Sequence, residues 1–116
     1  KMLAGESVVD EEELRIVEEA ASAYPLGSAQ NPVRAQMPVG QRAYLARLRC
    51  ADLTRPEFQR AGSAGLSPYG NIVDVYVVTC NGSEPARSEI YLDMYHPGHV
   101  ETRAVEGYGI VSAVAD

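Results

Sequence analysis

The residues able to do chemistry gather in IYLDMYHPGHVE, residues 90 to 101, where Asp93, His96, His99 and Glu101 follow one another closely. A carboxylate beside an imidazole is the arrangement of a general base, because the acid orients the ring and stabilises its charged form. Two histidines three residues apart can also share a metal ion. Zinc usually needs three protein ligands in a defined geometry, so Asp93 or Glu101 would have to supply the third. Against both readings stands a plainer one, in which Pro97-Gly98 turns the end of a strand and leaves two histidines at the surface.

Asp74 enters the same argument through strand geometry. In SEIYLDMYH the side chains alternate, so Ile90, Leu92, Met94 and His96 share one face and Tyr91, Asp93 and Tyr95 the other. A hairpin with NIVDVYVVTC is expected to set Asp74 and Tyr76 beside Tyr91, Asp93 and Tyr95. Two carboxylates held that close would raise one pKa, share a proton or bind a cation. The same residues also suit a solvated face whose aspartates bond to tyrosine hydroxyls or arginines. Asp74, Asp93, His96 and His99 are therefore candidates for catalysis, and His96, His99 and Glu101 for metal binding, with neither role assigned and no cofactor implied.

Other patterns add little chemistry. GSAGLSPYG is rich in glycine but lacks the spacing and strand-to-helix setting of a phosphate-binding loop, and it reads as a hairpin loop. Asn81-Gly82-Ser83 matches a glycosylation acceptor, although the same residues make a good hairpin turn. Cys50 and Cys80 have no CxxC spacing and no nucleophile context beyond the presence of two histidines.

The elements that must position these residues begin with a helix. Ser7 or Asp10 can cap it, and Glu11, Glu12 and Glu13 lie at the positive end of its dipole. Leu14, Val17, Ala21 and Tyr24 form one stripe, Glu18, Glu19 and Ser22 face water, and Pro25 and Gly27 end the helix. Residues 27 to 40, GSAQNPVRAQMPVG, read as an extended connection. QRAYLARLRC fits a strand or a short helix entering one, because its apolar residues satisfy both periods. PEFQRAG follows the turn ADLTRP as a strand. NIVDVYVVTC and SEIYLDMYH are the clearest strands and should form the centre of the sheet, while EGYGIVSAVAD adds a short strand.

These elements predict an α+β fold in one domain, residues 1–116: an N-terminal amphipathic helix packed on a small, mainly antiparallel sheet of about four strands. Residues 1–6 read as a flexible tail. The helix stripe should cover the face bearing Ile90, Leu92 and Met94.

The formal net charge of −6 and pI of about 4.9 argue against a nucleic-acid partner, since such proteins gather Lys and Arg on one face. Arg42, Arg47, Arg49, Arg55 and Arg60 make the middle third locally basic, enough for a small anionic ligand. No apolar run reaches the roughly 20 residues of a membrane span, and no basic-then-apolar leader opens the chain. The opening Lys1-Met2-Leu3-Ala4-Gly5 fits a stub left by removal of a signal or tag, and a lipid anchor upstream is compatible with it.

Cys50 and Cys80 each end a regular element, so they can meet if those elements are neighbours. A bridge would close a loop of about 30 residues and stabilise by roughly 3 to 4 kcal/mol in the chain-entropy model. Two buried free thiols are the alternative. A disulfide would place the protein in the periplasm, on the cell surface or in the medium.

GSAQNPV, AYLARLRC, SPYGNIVDVYVVTC and LDMYHPGHVE together resemble a group of uncharacterised bacterial proteins with a similar cysteine pair and a DMYH-type strand end. The resemblance covers about residues 27 to 111. It implies an exported or lipid-anchored envelope protein, and it carries no activity and no functional residues. The leading expectation is a non-enzymatic binding or interaction domain with a protein or small-molecule partner. The rival is a small metal-dependent or acid-base hydrolase in which Asp93, His96 and His99 converge within about 3 Å of one point.

Overall fold

The computed structural model describes residues 10–113. The expected tail and the alternative cap Ser7 lie outside them. Helix α1 spans Glu11–Ala21, and the Asp10 carboxylate caps it by accepting from the Glu13 backbone N–H at 2.7 Å. Strand β1 is Val33–Arg34, helix α2 is Met37–Arg47 and strand β2 is Leu48–Arg49. Strands β3 (Glu57–Leu66), β4 (Ile72–Thr79), β5 (Arg87–Asp93) and β6 (Gly109–Ile110) complete the fold.

Four strands form the main sheet in the order β1-β5-β4-β3, and β2 pairs with β6 in a separate ribbon. The β3–β4 and β4–β5 pairs are antiparallel, whereas β1 runs parallel to β5. The fold is thus α+β with a mainly antiparallel sheet, and the two strands expected at its centre are there. No helix among the described residues is long and apolar enough to cross a membrane.

The packing partner of the sheet differs from the expectation. Ile90 and Leu92 face a core of Val33, Tyr44, Leu45, Leu48, Tyr76 and Val78, so α2 covers that face. On α1 only Ala21 is fully buried; Leu14 and Val17 are half-buried and Tyr24 is exposed. The physical reason is stripe width. Gln41, Tyr44 and Leu45, followed by Leu48, recur at helical spacing and present more side chain to the sheet than the single Leu, Val and Ala of α1.

The segment QRAYLARLRC resolves as a helix entering a two-residue strand, and α2 starts within the connection expected over 27 to 40. Pro38, in the first turn of α2, has its φ preset for a helix and no N–H to leave unpaired. β3 also runs further than expected, through GSAGL, with register shifts between Arg60 and Gly62 and between Ser63 and Leu66. The loop is therefore reduced to Ser67–Asn71.

Replacing Leu45 by Ala should cost about 2 to 5 kcal/mol, because the residue is fully buried in the core. Leu14→Ala should cost about 1 kcal/mol or less, as for a partly solvated site. Urea midpoints of the two variants check the order, and a reversal would return the main packing role to α1.

Candidate functional site

β5 ends at Asp93, whose side chain is completely buried although it carries a charge. Its oxygens are satisfied by loop residues from three directions. Oδ2 accepts from Ser67 Oγ at 2.6 Å, Asn71 Nδ2 lies within 3.2 Å of both oxygens, and Oδ1 accepts from the Tyr95 backbone N–H at 3.0 Å. His96 Nε2 stands 3.2 Å from Oδ2. Burial alone would push this carboxyl up, but the His96 ring close to Oδ2, with the bonds from Ser67 and the Tyr95 N–H, outweighs it and holds Asp93 below the usual carboxylate range, although His96 Nε2 is not aligned for a regular hydrogen bond.

The loops that deliver these donors are built by local bonds. The Ser67 N–H donates to the Asn71 carbonyl at 2.7 Å, and the Tyr69 N–H donates to Ser67 Oγ at 3.0 Å, so the turn after β3 fixes both Asp93 ligands. Past β5, the His99 N–H closes a turn on the His96 carbonyl at 3.1 Å, and the Gly98 N–H donates to Gln36 Oε1 at 2.6 Å. Gly98 takes φ +77°, a conformation that side-chain-bearing residues rarely adopt.

The His96 ring meets the edge of Tyr69 at a centroid separation of 4.8 Å. Arg34, on β1, lies 5.6 Å above the Tyr69 ring and forms an ion pair with Glu18 of α1. Polar contact thus fastens α1 beside the site, consistent with its thin apolar stripe.

Glu101 organises the second histidine. Its Oε2 accepts from the backbone N–H groups of Thr102 and Arg103 and from Arg103 Nε, at 3.0 to 3.1 Å, while His99 Nε2 lies 3.5 Å from Oε1. Burial opposes ionisation, but His99 and Arg103 prevail and set Glu101 at about 2.

Both imidazoles, with Leu14, Arg34, Asn71 and Tyr95, line a cleft of about 380 Å³. They do not pool their ligands. Each takes its own carboxylate, and among the described residues no group of three or more His, Cys, Asp or Glu side chains gathers where it could hold a metal ion. No hydroxyl of the described residues donates to either ring. The Ser67 hydroxyl donates to Asp93 instead, and both cysteines are joined in a disulfide.

Asp74 does not join this site. The register sets Asp74 opposite Leu92 and Tyr76 opposite Ile90, on the face packed against α2. There Asp74 accepts from Gln41 Nε2 at 2.9 Å and from Arg60 Nη2 at 2.8 Å. The expected Asp74–Asp93 pairing fails because the loop between Thr79 and Arg87 fixes which residues oppose each other, and a one-residue change of register exchanges the faces. Ser67, Tyr69, Asn71 and Arg34 escaped the sequence reading. They look like ordinary loop and strand residues, and only the fold shows that they meet around Asp93 and His96.

The lowered carboxyls have a consequence for stability. A group whose folded pKa is depressed stabilises fully above its unfolded value, and that contribution is lost as pH falls through the folded value. For Glu101 the window runs from about 4.5 down to about 2. Urea midpoints should therefore fall across that range in the wild type, and the decline should be shallower in Glu101→Gln. An unchanged slope in the variant would contradict the assignment.

Comparison with family models, with curated proteins and with solved structures found no match for this chain.

Proposed function

We propose that this chain is a small binding domain of an oxidising compartment, the periplasm, cell surface or medium, and not a hydrolase. The observation that carries the reading is the pairing of each imidazole with its own carboxylate while the Ser67 hydroxyl is turned to Asp93. Acyl transfer by serine needs the hydroxyl bonded to the base, so that the base can take its proton as the oxygen attacks. Here hydroxyl and imidazole both point at the same carboxylate. That arrangement fixes the shape of the cleft and leaves the Ser67 hydroxyl without a base to activate it. The disulfide supports the compartment, because reducing cytosol seldom leaves such a bridge intact.

The hydrolase reading retains one supporting feature, the Asp93–His96 pair, which is also how a general base is oriented. Initial rates with p-nitrophenyl acetate and p-nitrophenyl phosphate separate the two. A binding domain should hydrolyse them no faster than free imidazole at matched concentration, and His96→Gln should change the rate by less than about twofold. Turnover lost on that substitution, by about a hundredfold as for a removed general base, would establish the enzyme instead.

A further inference from the structure

We propose that a groove along α2 binds a small amphiphile with a carboxylate head and an apolar tail, of the class of medium-chain fatty acids. The proposal rests on the binding reading and names the class of ligand.

The groove encloses about 370 Å³, within the range of small-molecule sites. Met37, Val39 and Ala43 of α2 line it together with Val100, and His99 and Glu101 belong to the same wall as Val100. Arg47 lines it ten positions after Met37, about 15 Å along the helix axis. Met37, Val39 and Val100 are 51%, 67% and 58% exposed, so an apolar surface is left open to water beside a cation. Methionine is flexible and adapts to varied apolar shapes. Met37 also holds φ +62°, a left-handed conformation that is costly for a residue with a side chain and that tends to mark functional positions. Its backbone N–H donates to the Met94 carbonyl at 2.8 Å, which keeps it there.

Charge selects the head group. Arg47 is half-buried and bonds only to neutral carbonyls, through Nε to Val111 and through Nη1 to Glu101, each at 3.0 Å. Among the described residues these bonds use two of the five guanidinium N–H donors, leaving three. No carboxylate pairs with it among the described residues. The other charges of the groove are already matched: Arg34 with Glu18, and the Glu101 carboxylate with Arg103 and His99. A carboxylate fits the remaining guanidinium edge, and a monoanion suits a chain of net charge −6 better than a dianionic phosphate.

Calorimetric titration of the oxidised protein with decanoate below its micelle concentration tests the proposal, with decanol and decyl phosphate as companion ligands. Decanoate should bind one to one. Decanol, and decanoate with Arg47→Met, should each bind about tenfold more weakly or worse, the loss expected for one charge-assisted contact. Arg47 also holds the Val111 and Glu101 carbonyls, so Val39→Asp, at an exposed position, serves as the second variant and should weaken decanoate at least as much. No binding of decanoate, equal binding of decanol, tighter binding of decyl phosphate, or indifference to Val39→Asp would each overturn the proposal. Sedimentation of the free protein as a dimer, with the groove closed by a second copy, would do so as well. None of these outcomes depends on ester hydrolysis, which tests the binding reading separately.

Discussion

Replacing Asp93 by Ala should lower the unfolding free energy by about 3 to 5 kcal/mol, the range for breaking a buried charged pair by removing one partner. The Ser67 hydroxyl, the Asn71 amide, the Tyr95 N–H and the His96 ring would all lose their common acceptor, whose own side chain is fully buried. Asp93→Asn should cost less, because it keeps the shape and one acceptor oxygen. Urea denaturation of the two variants checks both size and order. A loss below about 1 kcal/mol for the alanine variant would mean that the network adds little to the fold.

Loss of the Cys50–Cys80 bridge should have an effect of similar size. The bond joins the residue after β2 to the residue after β4, with Cα atoms 5.8 Å apart and a sequence separation of 30. It ties the β2–β6 ribbon to the main sheet. Loop entropy puts its contribution at about 3 to 4 kcal/mol, so reduction, or Cys50→Ala with Cys80→Ala, should lower the urea midpoint accordingly. The local structure around Asp93 should survive in the fraction that stays folded, since neither cysteine touches that network. Stability unchanged on reduction would remove the bridge from the list of stabilising features.

Much of this was legible from residues alone, and the failures have physical causes. Val73, Val75, Val77 and Val78 in one run, and alternation in SEIYLD, define β4 and β5 because such side chains suit a pleated surface. Asp10 before three glutamates defines the start of α1. Both cysteines end elements that prove to be neighbours. By contrast, Tyr44, Leu45 and Leu48 suit a helix while Tyr44, Ala46, Leu48 and Cys50 suit one face of a strand, and tertiary contact with Ile90 and Leu92 decides between them. The partners of Asp93 were hidden for another reason. Ser67 and Asn71 come from the loop after β3, and no local pattern reveals which buried carboxylate a loop serine or asparagine will reach.

Separate anchoring of the two histidines underlies the binding reading, and nitrogen-15 NMR of the imidazole rings measures it most directly. Spectra of the wild type, Asp93→Asn and Glu101→Gln should show His96 perturbed by the first substitution alone and His99 by the second alone. If either substitution moved both rings together, the histidines would form one coupled site, contradicting independent anchoring and reopening the case for shared catalysis.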